Sequence, residues 1–368
     1  MKKRKILQIT PTLVYGDGVG NDILAINHFL KNKEDITTKV YCENIDTLIP
    51  RNVASTIDKL PELNDDDIVI YHLSTGSKLN QFIQGLNGIK ILRYHNITPS
   101  DWFRGYNIEM ELICKRGLEE AKNLSNWPDY CLADSEFNKQ DLLNMGYHCP
   151  IDVLPIVIPF EDYDDKPTNK IITKYQDEYV NVLFTGRVAP NKKHEDIIQA
   201  FSYYQKYYNP KSRLMLIGSY NGMEKYYYKL LRYAEELKAE NVFFMGHIKF
   251  NDLLAYFTVA NVFLCLSEHE GFCIPIVEAM HFGMPIVAYD CCAIGDTLQE
   301  GGILLKEKNL LEIAGVINYV IKNKTKLLTV LNENQQTRLK DMMYENVTEK
   351  FWHILEKIIN KKVGGNLV

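Results

Sequence analysis

No apolar stretch in the 368-residue chain reaches the roughly eighteen residues that a membrane-spanning helix needs, so none of it is expected to cross a bilayer. An excess of basic charge is also missing. Lys and Arg total 42 against 47 Asp and Glu, a net charge of −5, which argues against a general nucleic-acid binder, whose surface must be basic. Eight cysteines are present, with no Cys-x-x-Cys pair and no regular spacing. Cys131 and Cys265 sit in apolar runs as buried thiols do, and the neighbours Cys291-Cys292 are poorly placed to pair with each other. The expected setting is the reducing cytoplasm. Repeats and low-complexity tracts are lacking, and Met1-Lys2-Lys3-Arg4-Lys5 runs directly into a strand-like segment rather than a signal peptide's apolar core.

What the chain does have is alternation. Strand-like runs at 4–10, 68–71, 89–94, 130–133 and 151–154 are separated by helical patterns, including 21–31 and 136–145, the latter preceded by Ser135 as an N-cap. A second set of strands begins near Val180, Leu214, Val242, Val262 and Pro285. Strands alternating with helices imply parallel sheets. The division is residues 1–160 as an N-terminal domain, an acidic linker at 161–176 and a C-terminal domain at 177–343. An amphipathic segment follows at 344–360.

Two motifs carry chemistry. In Ser267-Glu268-His269-Glu270-Gly271-Phe272-Cys273-Ile274-Pro275-Ile276-Val277-Glu278-Ala279-Met280, two carboxylates flank a glycine-led turn into a helix. Pro275 suits the first helical turn, and the backbone N–H groups around Gly271 and Phe272 can face an anion. That arrangement suits a sugar nucleotide, with amides for phosphate, one carboxylate for ribose hydroxyls and another for the sugar. Upstream, Val182-Leu183-Phe184-Thr185-Gly186-Arg187 ends a strand in glycine, and Arg187 and Lys192 follow five residues apart. A forked guanidinium and a flexible ammonium can neutralise a diphosphate and the charge that grows on it as a sugar departs.

Gly186-Arg187 with Lys192, followed by Glu270 and Glu278 in a Glu-Gly-Phe…Pro…Glu-Ala-Met frame, resembles the retaining glycosyltransferase family 4. Gly218 and Gly246 stand where that family has glycines after strands. The resemblance implies an α/β fold of the GT-B type, two doubly wound parallel-sheet domains facing across a cleft, with the 344–360 helix returning to the first domain. It also implies that Glu278 holds the ribose, that Glu270 fixes the sugar hydroxyls, and that the acceptor is a glycan or lipid-linked molecule of bacterial surface polysaccharide or glycolipid synthesis. The donor is then a UDP- or GDP-linked sugar, no cofactor is required, and peripheral contact with the inner membrane face stays open. Three departures stand out: Cys273 and Lys193 replace common glycines, and Gly295-Asp296 replaces a usual Pro-Glu pair.

His95, Gly186, Gly218 and Glu270 each fall just past the carboxyl end of an expected strand, where open α/β sheets bind ligands. In the N-terminal half, Gly16-Asp17-Gly18-Val19-Gly20 is not Gly-x-Gly-x-x-Gly and follows too long a loop for a dinucleotide fingerprint. It reads as a mobile loop in which Gly18 and Gly20 let backbone approach the diphosphate. His95 and Glu270 are the catalytic candidates, with His72 in reserve for His95. Asp65-Asp66-Asp67 and the acidic run 161–165 read as solvated turns in the wrong place for a metal–diphosphate bridge, so metal independence is expected. Competing readings are a sugar-nucleotide epimerase of GT-B fold and a non-catalytic sugar-nucleotide-binding partner of another transferase.

Overall fold

The computed structural model describes residues 3–14 and 16–363; Met1 and Lys2 of the basic opening run lie outside them. The chain forms two compact units. The first comprises the chain up to Pro99, Ile113–Phe160 and the residues from Lys340 on; the second comprises Ser100–Leu112 and Glu161–Leu339.

In the first unit seven strands are β1 (Arg4–Leu13), β2 (Ile36–Ile45), β3 (Ala54–Thr56), β4 (Ile68–Leu73), β5 (Ile89–Tyr94), β6 (Tyr130–Ala133) and β7 (Ile151–Val153). They form one sheet in the order β3-β2-β1-β4-β5-β6-β7. In the second unit β8 (Val180–Thr185), β9 (Ser212–Ile217), β10 (Val242–Gly246), β11 (Val262–Cys265), β12 (Ile286–Tyr289) and β13 (Ile303–Leu305) are ordered β10-β9-β8-β11-β12-β13. All pairings in both sheets are parallel.

The strands read from sequence recur, but β2, β3 and β13 were not among them. Ile36–Ile45 carries Thr37, Thr38, Lys39, Glu43 and Asn44 on a strand buried only in its centre, and β3 and β13 are three residues each. Ser135 caps the helix Glu136–Asn144 by accepting from the Asn138 amide at 3.1 Å. The helix Tyr344–Val363 inserts Val347, Phe351, Ile354, Leu355 and Ile358 among Ile6, Ile26, Ile68 and Ile91. Fully burying such a side chain contributes about 2 kcal/mol, so this helix supplies one wall of the first unit's core.

Segment Ser100–Leu112 is built into the second unit. Asn107 Nδ2 donates to the Gly222 carbonyl at 2.7 Å, and the Tyr106 ring packs edge-on against Tyr226. Among the described residues, no helix is long and apolar enough to cross a membrane.

Asp67 is not a solvated turn residue. It is buried, accepts the Lys5 and Asn64 amides at 2.9 and 2.8 Å, and pairs with the Lys5 ammonium at 3.2 Å. Burial alone would raise its pKa, but these donors outweigh it and hold the carboxyl below its ordinary value. A carboxylate with a depressed native pKa stabilises the fold above the unfolded value of about 3.9 and loses that stabilisation as pH falls. Asp67→Ala is therefore expected to cost about 2 kcal/mol at neutral pH, with the gap to wild type closing in acid. Urea unfolding at pH 7 and pH 3 checks both.

Candidate active site

Lys192 and Glu270 of the second unit meet in the loops that follow β8 and β11. Asn191 makes this possible: its carbonyl accepts the Glu268 amide at 2.8 Å and its Nδ2 donates to the His269 carbonyl at 3.1 Å. The loop after β8 is thereby stitched to the loop after β11. Lys192 Nζ then meets Glu270 Oε2 at 2.6 Å, with Glu270 buried and the ammonium mostly so. Burial opposes the charge on Lys192, but Glu270 more than compensates and holds the ammonium more firmly than usual. The residues expected to serve phosphate and sugar separately thus neutralise each other. Arg187, one residue past Gly186, is exposed and forms no ion pair among the described residues. Its fork of five donors is open to a ligand.

Gly218 is a packing requirement. A Cβ on Gly218 would lie 1.9 Å from the Gly186 carbonyl oxygen, so the loops after β8 and β9 approach too closely for any side chain there. The two departures at common glycine positions share a physical cause: Lys193 has φ 52° and Cys273 φ 72°, both left-handed. Each costs about 1–2 kcal/mol relative to glycine. Cys273 caps the helix Ile274–His281, whose start leaves Gly271 half-buried and Phe272 buried in the turn before it.

Glu278 lies within that helix and is buried. Its Oε1 accepts from the Tyr163 hydroxyl at 2.7 Å. Tyr163 packs edge-on against Phe250 and His281 at 5.0 and 5.6 Å, which fixes the hydroxyl in place. Burial pushes the Glu278 carboxyl up to about 7, and the Tyr163 hydrogen bond only partly offsets this. Sequence gave no sign of this partner, because 115 residues separate the two.

In the first unit, Gly18 is the first residue of the helix Gly18–Lys31, and Asp17 caps it by accepting from the Gly20 amide. The free glycine loop expected here is a capped helical turn, because an Asp just before a helix satisfies its orphan donors. A Cβ on Gly20 would lie 2.0 Å from the Val14 carbonyl oxygen. The Asp17-x-x-Gly20 spacing was a legible cap signal.

His95 follows β5 with its side chain fully buried. Gln8 Nε2 donates to the Ile23 carbonyl at 3.1 Å, which turns Gln8 Oε1 toward His72 Nε2 at 2.9 Å. His72 therefore donates from Nε2, and burial, reinforced by His95 and Arg93, keeps it neutral. Its Nδ1 is left to accept from His95 Nε2 at 2.8 Å, while His95 Nδ1 donates to Asp134 Oδ2 at 3.0 Å. Arg93 completes the cluster with Asp22 and Asp134, each at 3.1 Å. Two buried carboxylates thus share the Arg93 guanidinium with nothing exposed, and a buried charge needs such a partner.

Among the described residues, two clusters contain metal-ligand atoms within 4.8 Å of one another: Asp22, His72 and His95, and Cys265, Glu270 and Cys273. In each, a protein cation already holds the carboxylate, Arg93 on Asp22 and Lys192 on Glu270. Positive charge at that distance disfavours an added cation.

Residues 165–338 match the family model of group 1 glycosyl transferases. An uncharacterized glycosyltransferase of Haemophilus influenzae is 26% identical over 192 residues, 51% of this chain and 52% of its own length. O-antigen chain mannosyltransferase B of Escherichia coli is 24% identical over 252 residues, 66% of this chain and 62% of its own. The chain thus spans between half and two thirds of the length of these curated relatives. The crystal structure of Alr3699/HepE from Anabaena in complex with UDP-glucose aligns with TM-score 0.75 at 16% identity, over 96% of this chain and 99% of that one. The fold is GT-B, and residues 165–338 of its second unit are similar to group 1 glycosyl transferases.

Glu278 supplies a pH test that needs no ligand. A carboxyl whose native pKa is raised from 4.5 to about 7 favours the fold below the unfolded value, and that contribution is lost as pH rises through 7. Glu278→Gln, neutral at every pH and still able to accept from Tyr163, is expected to match wild type near pH 5. Near pH 8.5 it should be more stable by about 3 kcal/mol. Chemical denaturation at the two pH values reads the difference; equal stabilities at both would show that Glu278 ionises without penalty.

Proposed function

We propose that this protein is a retaining, metal-independent glycosyltransferase that moves a hexose from a UDP- or GDP-linked sugar to a glycan or lipid-linked acceptor, in the synthesis of a bacterial surface polysaccharide or glycolipid. The observation that carries the proposal is the loop junction of the second unit at the carboxyl edge of a parallel sheet, where Lys192 and Glu270 close on each other and Arg187, in the same loop after β8, is exposed. The GT-B fold and the group 1 similarity support it. So do an O-antigen mannosyltransferase among the relatives and a neighbour of the same fold in complex with UDP-glucose.

In this reading Arg187 and Lys192 meet the donor diphosphate, joined by backbone amides around Gly186, Gly218, Gly271 and Phe272. Glu278 accepts from the ribose and Glu270 from the sugar. Lys192 and Glu270 already hold each other in place, so an arriving donor exchanges one set of polar partners for another instead of ordering free side chains. Negative charge grows on the leaving diphosphate as an oxocarbenium-like sugar forms, and prepositioned cations stabilise it. Metal independence rests on those cations supplying the charge that a divalent ion supplies elsewhere. From the first unit, Gly18 and Gly20 are proposed to serve the donor diphosphate and His95 to be a catalytic group, with the acceptor as that unit's remaining share.

The test is acceptor-dependent release of nucleoside diphosphate from a panel of sugar nucleotides in excess EDTA. Turnover is expected to persist, with the anomeric configuration of the donor kept in the product. Loss of activity in EDTA with rescue by magnesium or manganese would overturn metal independence, and epimerised donor without transfer would overturn the reaction class.

Arg187→Ala is expected to lower kcat by about 100- to 1000-fold, equivalent to about 3–4 kcal/mol, with a smaller change in donor Kd. A raised Kd with unchanged kcat would make Arg187 a ground-state binding residue.

A further inference from the structure

The neighbouring Cys291 and Cys292 lie directly behind the Glu270 loop, and their arrangement is chemically asymmetric. Their Sγ atoms are 3.5 Å apart, both residues are half-buried, and Cys292 is held left-handed at φ 54°. Cys291 Sγ donates to the Glu268 carbonyl at 3.2 Å. Cys292 Sγ lies 4.0 Å from His269 Nδ1 and is held by the backbone amide of Glu270. The titratable groups around the pair are His269, Glu268 and Lys308, the last pairing with Glu268 at 2.7 Å. The loop is stitched further by Ala293, whose amide donates to the Glu270 carbonyl at 3.3 Å.

The geometry points to Cys291–Cys292 as an oxidative modification site, with Cys292 as the nucleophile toward a hydroperoxide and Cys291 as its resolving thiol. The Cys292 thiolate attacks one peroxide oxygen; an S–O bond forms, the O–O bond breaks, and the departing oxyanion takes a proton from solvent. Cys292 is then a sulfenic acid. The Cys291 thiol attacks that sulfur, an S–S bond forms, and the hydroxyl leaves with the thiol proton as water. Two electrons have passed from the two sulfurs to the peroxide, which is reduced to an alcohol, or to water, plus one further water. A disulfide between sequence neighbours is strained and therefore readily reduced, as a reversible mark requires. When the Cys291 S–H turns from the Glu268 carbonyl to the Cys292 sulfur, whose own proton has left, that hydrogen bond, helped by His269 and the Glu270 amide, pulls the Cys292 thiol down to about 5 despite its burial. Oxidation removes the thiolate that the Glu270 amide binds, so it disturbs the carboxylate assigned above to the sugar; this effect rests on that assignment, whereas the oxidation itself does not.

The experiment exposes the whole protein to limiting hydrogen peroxide near pH 5.5. An ordinary thiol is then ionised about one part in a thousand, and Cys292 keeps its advantage despite the lower nucleophilicity of an acidic thiol. Peptide mass analysis is expected to show loss of two hydrogens from the peptide holding residues 291 and 292, at least about tenfold faster than modification of any other cysteine. Cys291→Ser should instead leave a sulfenic acid at Cys292 that dimedone captures, and Cys292→Ser should show neither product. Another cysteine reacting first, or an undiminished rate in Cys292→Ser, would overturn the site. For the link to Glu270, UDP and GDP are titrated onto reduced and oxidised protein; affinity is expected to fall at least about tenfold on oxidation and return with dithiothreitol. Equal affinities would overturn the link, while a reduced protein that binds neither nucleotide would overturn the proposed function and leave the thiol result standing.

Discussion

A parallel sheet delivers the end of each strand to one edge, and in both units of this chain every pairing is parallel. Residues scattered widely in sequence are therefore gathered without any special contact between the elements that carry them. Glu270 follows β11 and Lys192 follows β8, and these strands are direct neighbours in the sheet. Their side chains meet at 2.6 Å because strand order has already set their loops side by side, and Asn191 needs only two hydrogen bonds to finish the alignment. The left-handed turns at Lys193 and Cys273 are the strain left by making two loops this tight.

The first unit solves a different problem at the same kind of edge. Gln8 on β1, His72 on β4, Arg93 on β5 and Asp134 just after β6 point into one buried polar cluster. Such a cluster is stabilised by matching donors to acceptors; Asp134 Oδ1 meets Arg93 as an ion pair without a hydrogen bond, and the fixed direction of the Gln8 amide propagates through His72 to His95. Each proton position follows from the one before it. In the second unit the buried carboxylates have fewer partners: Glu278 has Tyr163, and burial dominates its ionisation.

Where residues acted through local spacing, the sequence was legible. Gly186, Arg187, Glu270 and the cap at Ser135 were read from runs of a dozen residues or fewer, and the strands preceding them were apolar enough to stand out. Hidden features depended on distance or on weak patterns. Tyr163 reaches Glu278 across 115 residues, and Asp67 clasps Lys5 across 62. Strand β2 was missed because its polar residues interrupt the apolar pattern. Cys273 and Lys193 were visible as departures from glycine, but their left-handed backbone was not.

The Tyr344–Val363 helix sets a schedule for synthesis. The first unit's core is lined by strands made early, yet Phe351 and Leu355 arrive only after the whole second unit has been translated. At about 5–20 residues per second, the face of Ile6, Ile26, Ile68 and Ile91 that the helix covers waits on the order of ten seconds or more for its partner. During that interval the second unit can complete its own sheet, while the nascent first unit carries an uncovered apolar face. The chain that begins to fold first is thus the last to be sealed, and its exposure to aggregation or to a chaperone is written into the order of its elements rather than into any one residue.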